Sequence, residues 1–347
     1  MVRGARRLVA LGVVVALACE VPSEGEVRST GADPSLMSGR GPRSTEGDDE
    51  VAGNGAAVRA ASATPVFVGG RYVLSTGDVE LEIDPAIGGR VTRFSLAGEN
   101  ILTGPEVVAG GEGSLPNMYG STFWTSPQSA WGWPPEPEID VAAHRAEVLG
   151  DVVVLSSEAG AATGYSVRKR FWVDAARGCF SIEYTLQNRR ATLPAAPWEI
   201  SRVPKAGIVL FAAAAPALAQ SNLPSSHRDG IGWVDISLAP PSDSKLFQDG
   251  SEGWIAYVHR DVAFIKTFED APSGAAAPGE AEIEVFVNGQ FDYVEIEQQG
   301  RYALPPAGGA ASWQVNWLLR RLPPELDASL GSAQLVAWVR AVVAASR

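Results

Sequence analysis

Trp124, Trp131 and Trp133, three of the chain's ten tryptophans, fall within Phe123-Trp124-Thr125-Ser126-Pro127-Gln128 and Trp131-Gly132-Trp133-Pro134-Pro135. The prolines and glycine make this stretch read as a loop, and loops carry function on rigid scaffolds. Sugars offer apolar faces that stack on aromatic rings and hydroxyl rims that need planar donors and acceptors. Trp124, Gln128, Trp131 and Trp198 are therefore candidate contacts for a saccharide. The plainer alternative is that the rings cap the end of a core. Arg202, Lys245 and Lys266 are candidate donors to hydroxyls or to an acidic sugar. Of the three histidines, His227 sits in the polar run Ser225-Ser226-His227-Arg228-Asp229-Gly230 and is the candidate to reach a pocket. His259 follows an apolar run and reads as structural.

Positioning these side chains falls to β-strands. Val79-Glu80-Leu81-Glu82-Ile83-Asp84 alternates apolar with acidic residues, and residues 283–287, 293–297 and 313–317 alternate similarly. A period of two marks half-buried strands. Further β-branched and aromatic runs occupy 152–156, 165–173, 180–186, 207–211, 254–258 and 262–268. No helix of useful length intervenes, which excludes βαβ units and predicts antiparallel sheets packed face to face. Only the C-terminal segment changes period: Leu326, Leu330, Val336, Val339 and Val343 fit one helical stripe after Pro323 and Pro324. The expected class is all-β, a large antiparallel β-sandwich closed by a short C-terminal helix.

The amino terminus carries Arg3, Arg6 and Arg7 before an apolar run at 8–17, too short to span a bilayer, and small residues follow. That pattern is a cleavable secretory signal, expected over 1–18. Ala16-Leu17-Ala18 suits ordinary cleavage, whereas Leu17-Ala18-Cys19 resembles a lipobox that would lipidate Cys19. The lipoprotein reading is favoured over simple secretion, giving a periplasmic or surface location in the cell envelope. Residues 19–65 are rich in Gly, Ser, Pro, Ala, Asp and Glu and read as a disordered tether. Residues 66–347 are long enough for one large domain.

With 28 basic and 40 acidic residues the formal net charge is −12, and cleaving the signal makes it three units more negative. An acidic surface argues against nucleic acid and anionic membranes as partners, leaving membrane association to the lipid anchor. Cys19 and Cys179 form no disulfide framework, and Cys179, in an apolar run, reads as a buried small hydrophobe. No metal-type His/Cys cluster or EF-hand spacing is present, so neither cofactor nor metal is expected.

The order of several motifs is similar to that of the galactose mutarotase-like superfamily, which includes the aldose 1-epimerases. It opens with Leu81-Glu82-Ile83-Asp84-Pro85-Ala86-Ile87-Gly88-Gly89-Arg90 and Gly98-Glu99-Asn100-Ile101-Leu102. It closes with Val285-Phe286-Val287-Asn288-Gly289, Glu295-Ile296-Glu297-Gln298-Gln299, Leu304-Pro305-Pro306 and residues 313–318. Gly120-Ser121-Thr122-Phe123-Trp124, Ala196-Pro197-Trp198-Glu199-Ile200-Ser201 and Gly253-Trp254-Ile255-Ala256-Tyr257 resemble an uncharacterised bacterial branch of it.

The resemblance implies a sandwich that handles sugars and a general base at Glu297, because Glu297-Gln298-Gln299 matches the family's E-x-Q. Mutarotation also needs an acid for the ring oxygen. The family carries a histidine after the asparagine that is here Asn188, but this chain has Trp198-Glu199-Ile200-Ser201-Arg202 there. Glu199 and Glu297 together could instead form a glycosidase-type carboxylate pair. Without the resemblance, Glu297 reads as an outward-facing strand residue. Three functions follow: a carbohydrate-binding protein as the leading expectation, a sugar-active enzyme of epimerase or glycan-cleaving type, and an envelope scaffold.

Overall fold

The computed structural model describes residues 64–108 and 118–347. The expected signal, Cys19 and all of the expected tether except Thr64 and Pro65 lie outside the described residues.

In chain order the strands are β1 (Val66–Val68), β2 (Arg71–Thr76), β3 (Val79–Asp84), β4 (Arg90–Leu96), β5 (Glu99–Asn100), β6 (Ser121–Ser126), β7 (Arg145–Leu149) and β8 (Val152–Ser156). They continue with β9 (Tyr165–Asp174), β10 (Cys179–Asn188), β11 (Ala196–Pro204), β12 (Ile208–Ala212), β13 (Ser226–Arg228), β14 (Ile231–Asp235) and β15 (Ser244–Gln248). The last are β16 (Trp254–His259), β17 (Val262–Phe268), β18 (Ile283–Val287), β19 (Tyr293–Gln299) and β20 (Ala310–Arg321). Two helices, α1 (Pro137–Asp140) and α2 (Ala333–Ala345), complete the elements needed here.

All strand pairs are antiparallel, and they form two ten-stranded sheets. The first runs β1-β2-β3-β4-β6-β11-β19-β18-β15, with β5 on β4; the second runs β13-β14-β12-β16-β17-β20-β10-β9-β8-β7. Their facing sides share one core, in which Leu81, Phe94, Phe123, Val294 and Ile296 of the first sheet meet Ile182, Tyr184, Phe264, Val315 and Trp317 of the second. Phe94 is central to it, with ring centroids 5.2–5.5 Å from Phe180, Phe264 and Trp317. The all-β sandwich read from the alternating runs is the observed architecture.

Cys179 is buried and unpaired, on the opposite side of the second sheet, where α2 also packs. The helix buries Leu335, Val336, Val339 and Val343 against Leu210, Trp254, Ile265 and Leu318. The expected stripe began too early. Leu326 and Leu330 precede the helix, because Gly331 takes a positive φ of 83° and Ser332 then caps the first turn by accepting from the Leu335 N–H at 3.2 Å.

The tryptophan loop also needs correction. Phe123 to Ser126 belong to β6, inside the first sheet, and all six residues of that strand are buried; only the stretch beyond Pro127 leaves the sheet. A strand covered on both faces shows no alternation, and Gly120 and Pro127 at its ends mimic a loop's punctuation.

Candidate functional site

The site is on the face of the first sheet that looks away from the core. Register decides which side chains share it: Trp124 pairs with Trp198 across β6 and β11, and Ile200 and Arg202 pair with Glu297 and Glu295 across β11 and β19. Glu284 pairs with Glu297 and Phe286 with Glu295 across β18, and Lys245 of β15 pairs with Phe286. Directly paired residues project to the same side, so Trp124, Trp198, Arg202, Lys245, Glu284, Phe286, Glu295 and Glu297 form one outer face. Val294 and Ile296, between the acids of β19, point into the core.

Over this face lies a cleft of about 340 Å3. Trp124, Trp133, Trp198, Phe286, Phe291 and Tyr293 supply its rings, and Gln128, Asp243, Lys245, Asn288, Gln290 and Glu295 its polar groups. Trp124, Trp198, Phe291 and Tyr293 belong to a buried apolar cluster of their own, together with Val108, Met118 and Ile200. The Trp124 ring meets Trp198 edge to face at 5.5 Å and Trp133 at 6.1 Å. It is held from below by Asp140 of α1, whose Oδ1 accepts from Trp124 Nε1 at 2.9 Å, Thr122 Oγ1 at 2.6 Å and Arg90 at 3.0 Å. Burial opposes ionisation of Asp140, but Arg90 and these donors hold its carboxyl below the ordinary aspartate range. Gly88 lets α1 come this close: with φ at 63°, a Cβ there would stand 2.0 Å from the Asp140 carbonyl oxygen.

The charged groups are arranged as paired units. Arg202 is completely buried, 2.7 Å from Glu295, and its guanidinium lies over the rings of Trp124 and Tyr293 at 5.5 and 5.8 Å. Lys245 bridges two acids, 2.5 Å from Glu284 and 3.4 Å from Glu297, and its ammonium lies 5.0 Å from the Trp198 ring centroid. Trp198 Nε1 donates to the same Glu297 oxygen at 2.8 Å, whereas Glu297 Oε1, fully buried, has no hydrogen-bond partner. Burial pushes the Glu297 carboxyl up to about 7 against the pull of Lys245, with Glu295 and Glu280 adding to the rise. Desolvation works against the Lys245 ammonium, yet Glu297 and Glu284 raise it well above the ordinary lysine range.

Glu199 does not join this face. Its backbone pairs with Gln298 where Ile200 pairs with Glu297, so it projects to the other side of the sheet. There it accepts from Tyr184 Oη at 2.6 Å, Trp317 Nε1 at 2.9 Å and Gln298, and pairs with Lys266 at 3.0 Å, all of them buried. A glycosidase-type pair of Glu199 and Glu297 is thus ruled out by geometry, since the two carboxyls are on opposite faces of the sheet. Lys266, bound to Glu199 in the core, is no ligand donor. His227 lies on β13 at an edge of the second sheet, where Nε2 is 2.9 Å from the Ala213 carbonyl oxygen. Trp131 anchors the loop, donating to the Thr125 carbonyl at 2.7 Å, and does not line the cleft.

Trp124, Gln128, Trp198 and Lys245 thus line the cleft, while Arg202 and Glu297 lie under it. Phe286, Phe291, Tyr293 and Asp243 escaped sequence reasoning. For Phe286 the signal was present: the core phase of Val285 and Val287 puts it on the outer face, as that of Val294 and Ile296 puts Glu295 beside Glu297. Neither Arg202 nor Lys245 is free to receive an acidic sugar, because each is committed to carboxylates. Among the described residues no group of three or more His, Cys, Asp or Glu is arranged to hold a metal ion.

No curated protein matches the chain significantly in sequence. Among solved structures, a galactose mutarotase-like protein from Lactobacillus casei is 10% identical, covers 72% of this chain and 100% of its own, and gives a TM-score of 0.51. A candidate aldose 1-epimerase from Escherichia coli K12 is 13% identical, with coverage of 73% and 99% and a TM-score of 0.50. A TPR-domain containing protein from Parabacteroides distasonis is 14% identical over 74% of this chain and 48% of its own, with a TM-score of 0.50. At these identities the likeness is one of fold, and it identifies the sandwich as galactose mutarotase-like. Residues 70–299 match the family described as a domain of unknown function, DUF4380, and the chain belongs to that family.

Proposed function

We propose that this protein is an exported, lipid-anchored saccharide-binding protein whose binding site is the outer-face cleft of the first sheet. The observation that carries the reading is the lining: six aromatic rings interleaved with Gln128, Asn288, Gln290, Lys245 and two acids in a cavity sized for a small ligand. Rings that can stack on the apolar face of a pyranose, beside amides and charges that can meet its hydroxyls, are the composition saccharide recognition needs. The fold neighbours named for galactose mutarotase and aldose 1-epimerase are consistent with a sugar ligand, and fold alone does not fix function. Saccharide binding is tested on a glycan array followed by titration calorimetry. Loss of all binding in Trp124→Ala, with the fold retained, supports the cleft as the site, and unaltered binding removes it.

A second reading is favoured by Glu297: a fully buried carboxyl raised to about 7, with one unpartnered oxygen, suits a general base. Against it, no histidine stands opposite, and Lys245 is held too firmly protonated to serve as the acid. Turnover of an aldose anomer that disappears in Glu297→Gln would establish the enzyme; a binding protein loses only affinity.

Export and anchoring rest on the amino-terminal sequence. Cys19→Ser is expected to shift the protein from the membrane fraction to a soluble form or an unprocessed precursor, with loss of the lipid adduct by intact mass. A mature chain starting at an unmodified Cys19 would remove the anchor.

A further inference from the structure

We infer that the cleft selects a saccharide bearing a protonated amine and discriminates against acidic sugars, an inference that rests on the saccharide-binding reading. The basis is how charge is distributed around the aromatic lining. Asp243 and Glu295 line the cleft, and the buried carboxyls of Glu284 and Glu297 lie below it, both pushed toward their neutral forms by burial, with Lys245 and Arg202 as the cations.

Both cations are ion-paired with these acids, Arg202 through one nitrogen, with its Nε and Nη1 buried without a hydrogen-bond partner. Lys245 is shared between Glu284 and Glu297, and Arg202 is sealed under Trp124 and Tyr293 with Glu295. A ligand entering from solvent therefore meets no cation at the cleft that lacks an ion-pair partner, but it does meet the exposed carboxylate of Asp243. Asp243 is exposed at the mouth, with one oxygen used by the Gly289 N–H at 2.7 Å. Under the floor, Glu297 Oε1 is buried with no donor. A low-dielectric wall sharpens such a field, so its sign discriminates more strongly than it would on an open surface.

The rings point the same way. Arg202 and Lys245 already lie against faces of Trp124, Tyr293 and Trp198 within 6 Å of their centroids, which shows that these rings accept cations. A ligand ammonium approaching from the solvent side would gain from the same ring quadrupoles and from Asp243, whereas a carboxylate would be repelled by both. A neutral sugar would stack without either effect.

The test uses the described domain's parent, the full mature chain, with six monosaccharides in two matched series: glucose, glucosamine and glucuronate, and galactose, galactosamine and galacturonate. Affinity is read by ligand-observed NMR titration at pH 6 and low salt. Within at least one series the amine is expected to bind about tenfold or more tighter than the neutral sugar, and the uronate weakest. Added salt should shrink the ratio. Asp243→Asn, at an exposed position, should narrow the amine preference at least threefold. If the neutral sugar binds as well as the amine, or the uronate binds tightest, the inference falls and the saccharide reading stands. If none of the six binds, both fall.

Discussion

Trp124 Nε1 donates to Asp140 Oδ1 at 2.9 Å, tying the central ring of the cleft to a carboxylate that also neutralises buried Arg90. The ring's orientation is thereby coupled to the stability of the fold. Asp140→Ala would leave buried Arg90 without its counter-ion, held only by the Tyr119 and residue-140 backbone carbonyls, and free Thr122 and Trp124. Removing one partner of a buried ion pair typically costs about 3–5 kcal/mol. A urea midpoint lowered accordingly is expected, together with weaker ligand binding by the molecules that remain folded. Unchanged stability would show that Arg90 finds other partners.

Glu199 and Lys266 make the contrasting case. Glu199→Gln should destabilise by a similar amount, about 3–5 kcal/mol, because buried Lys266 loses its counter-ion and keeps only neutral acceptors, among them the Ile296 carbonyl and the Gln298 amide oxygen. Adding Lys266→Met should recover much of the loss, since the pair sits among Tyr184, Phe264 and Trp317. A double-mutant cycle in urea measures the coupling. Ligand affinity per folded molecule should be unaltered, as neither side chain reaches the cleft.

The pH dependence follows from Glu297 and Glu282. Each carboxyl is pushed up to about 7 by burial from an ordinary glutamate value of 4.5. Between those values each of these carboxyls holds more of its proton in the native state than in the unfolded chain, so their contribution to stability falls as pH rises, opposed below about 6.5 by buried His144, which is held down to about 3. The contribution is fully present below about 4.5 and is lost once pH passes about 7. Urea unfolding at intervals across pH 4.5–7.5 should show this decline, and Glu282→Gln should flatten part of it. A pH profile left unaltered by Glu282→Gln would mean that this carboxyl ionises freely in the fold.

The strands that alternate, or that are continuous β-branched runs, were legible in the sequence: 152–156 and 262–268 coincide with β8 and β17. Their composition leaves no other way to bury those residues. β6 was hidden because each of its residues is covered, one side by the core and the other by the cleft's aromatic floor, which erases periodicity. The site was half legible for a related reason. Sequence spacing puts Glu295 and Glu297 on one side of their own strand, but it says nothing about which residue of β11 faces them. One step of register separates Ile200, opposite Glu297, from Glu199, opposite Gln298, and that step decides between a cleft carboxylate and a core ion pair. The commitments of Arg202, Lys245 and Lys266 likewise depend on partners 39 to 93 residues away, beyond any local pattern.

Trp131 and Trp133, two residues apart, should separate stability from recognition. Both touch the edge of Trp124, at 5.7 and 6.1 Å. Trp131 is half-buried and its N–H closes the loop on the Thr125 carbonyl, so Trp131→Ala removes a packed ring and leaves that oxygen without its donor. A core-type aromatic truncation costs about 3–5 kcal/mol, and this partly exposed one should cost less, about 1–2 kcal/mol. Trp133 is 51% exposed and lines the cleft, so Trp133→Ala removes little packing. Its stability should stay within about 0.5 kcal/mol of the parent, as for other exposed substitutions. A stacked ring contributes about 0.5–1.5 kcal/mol, so loss of Trp133 should weaken a saccharide about threefold to tenfold. Thermal denaturation and calorimetric titration on the two variants give the comparison. A Trp133→Ala protein that unfolds early yet binds normally would reverse the assignment and make Trp133 the structural ring.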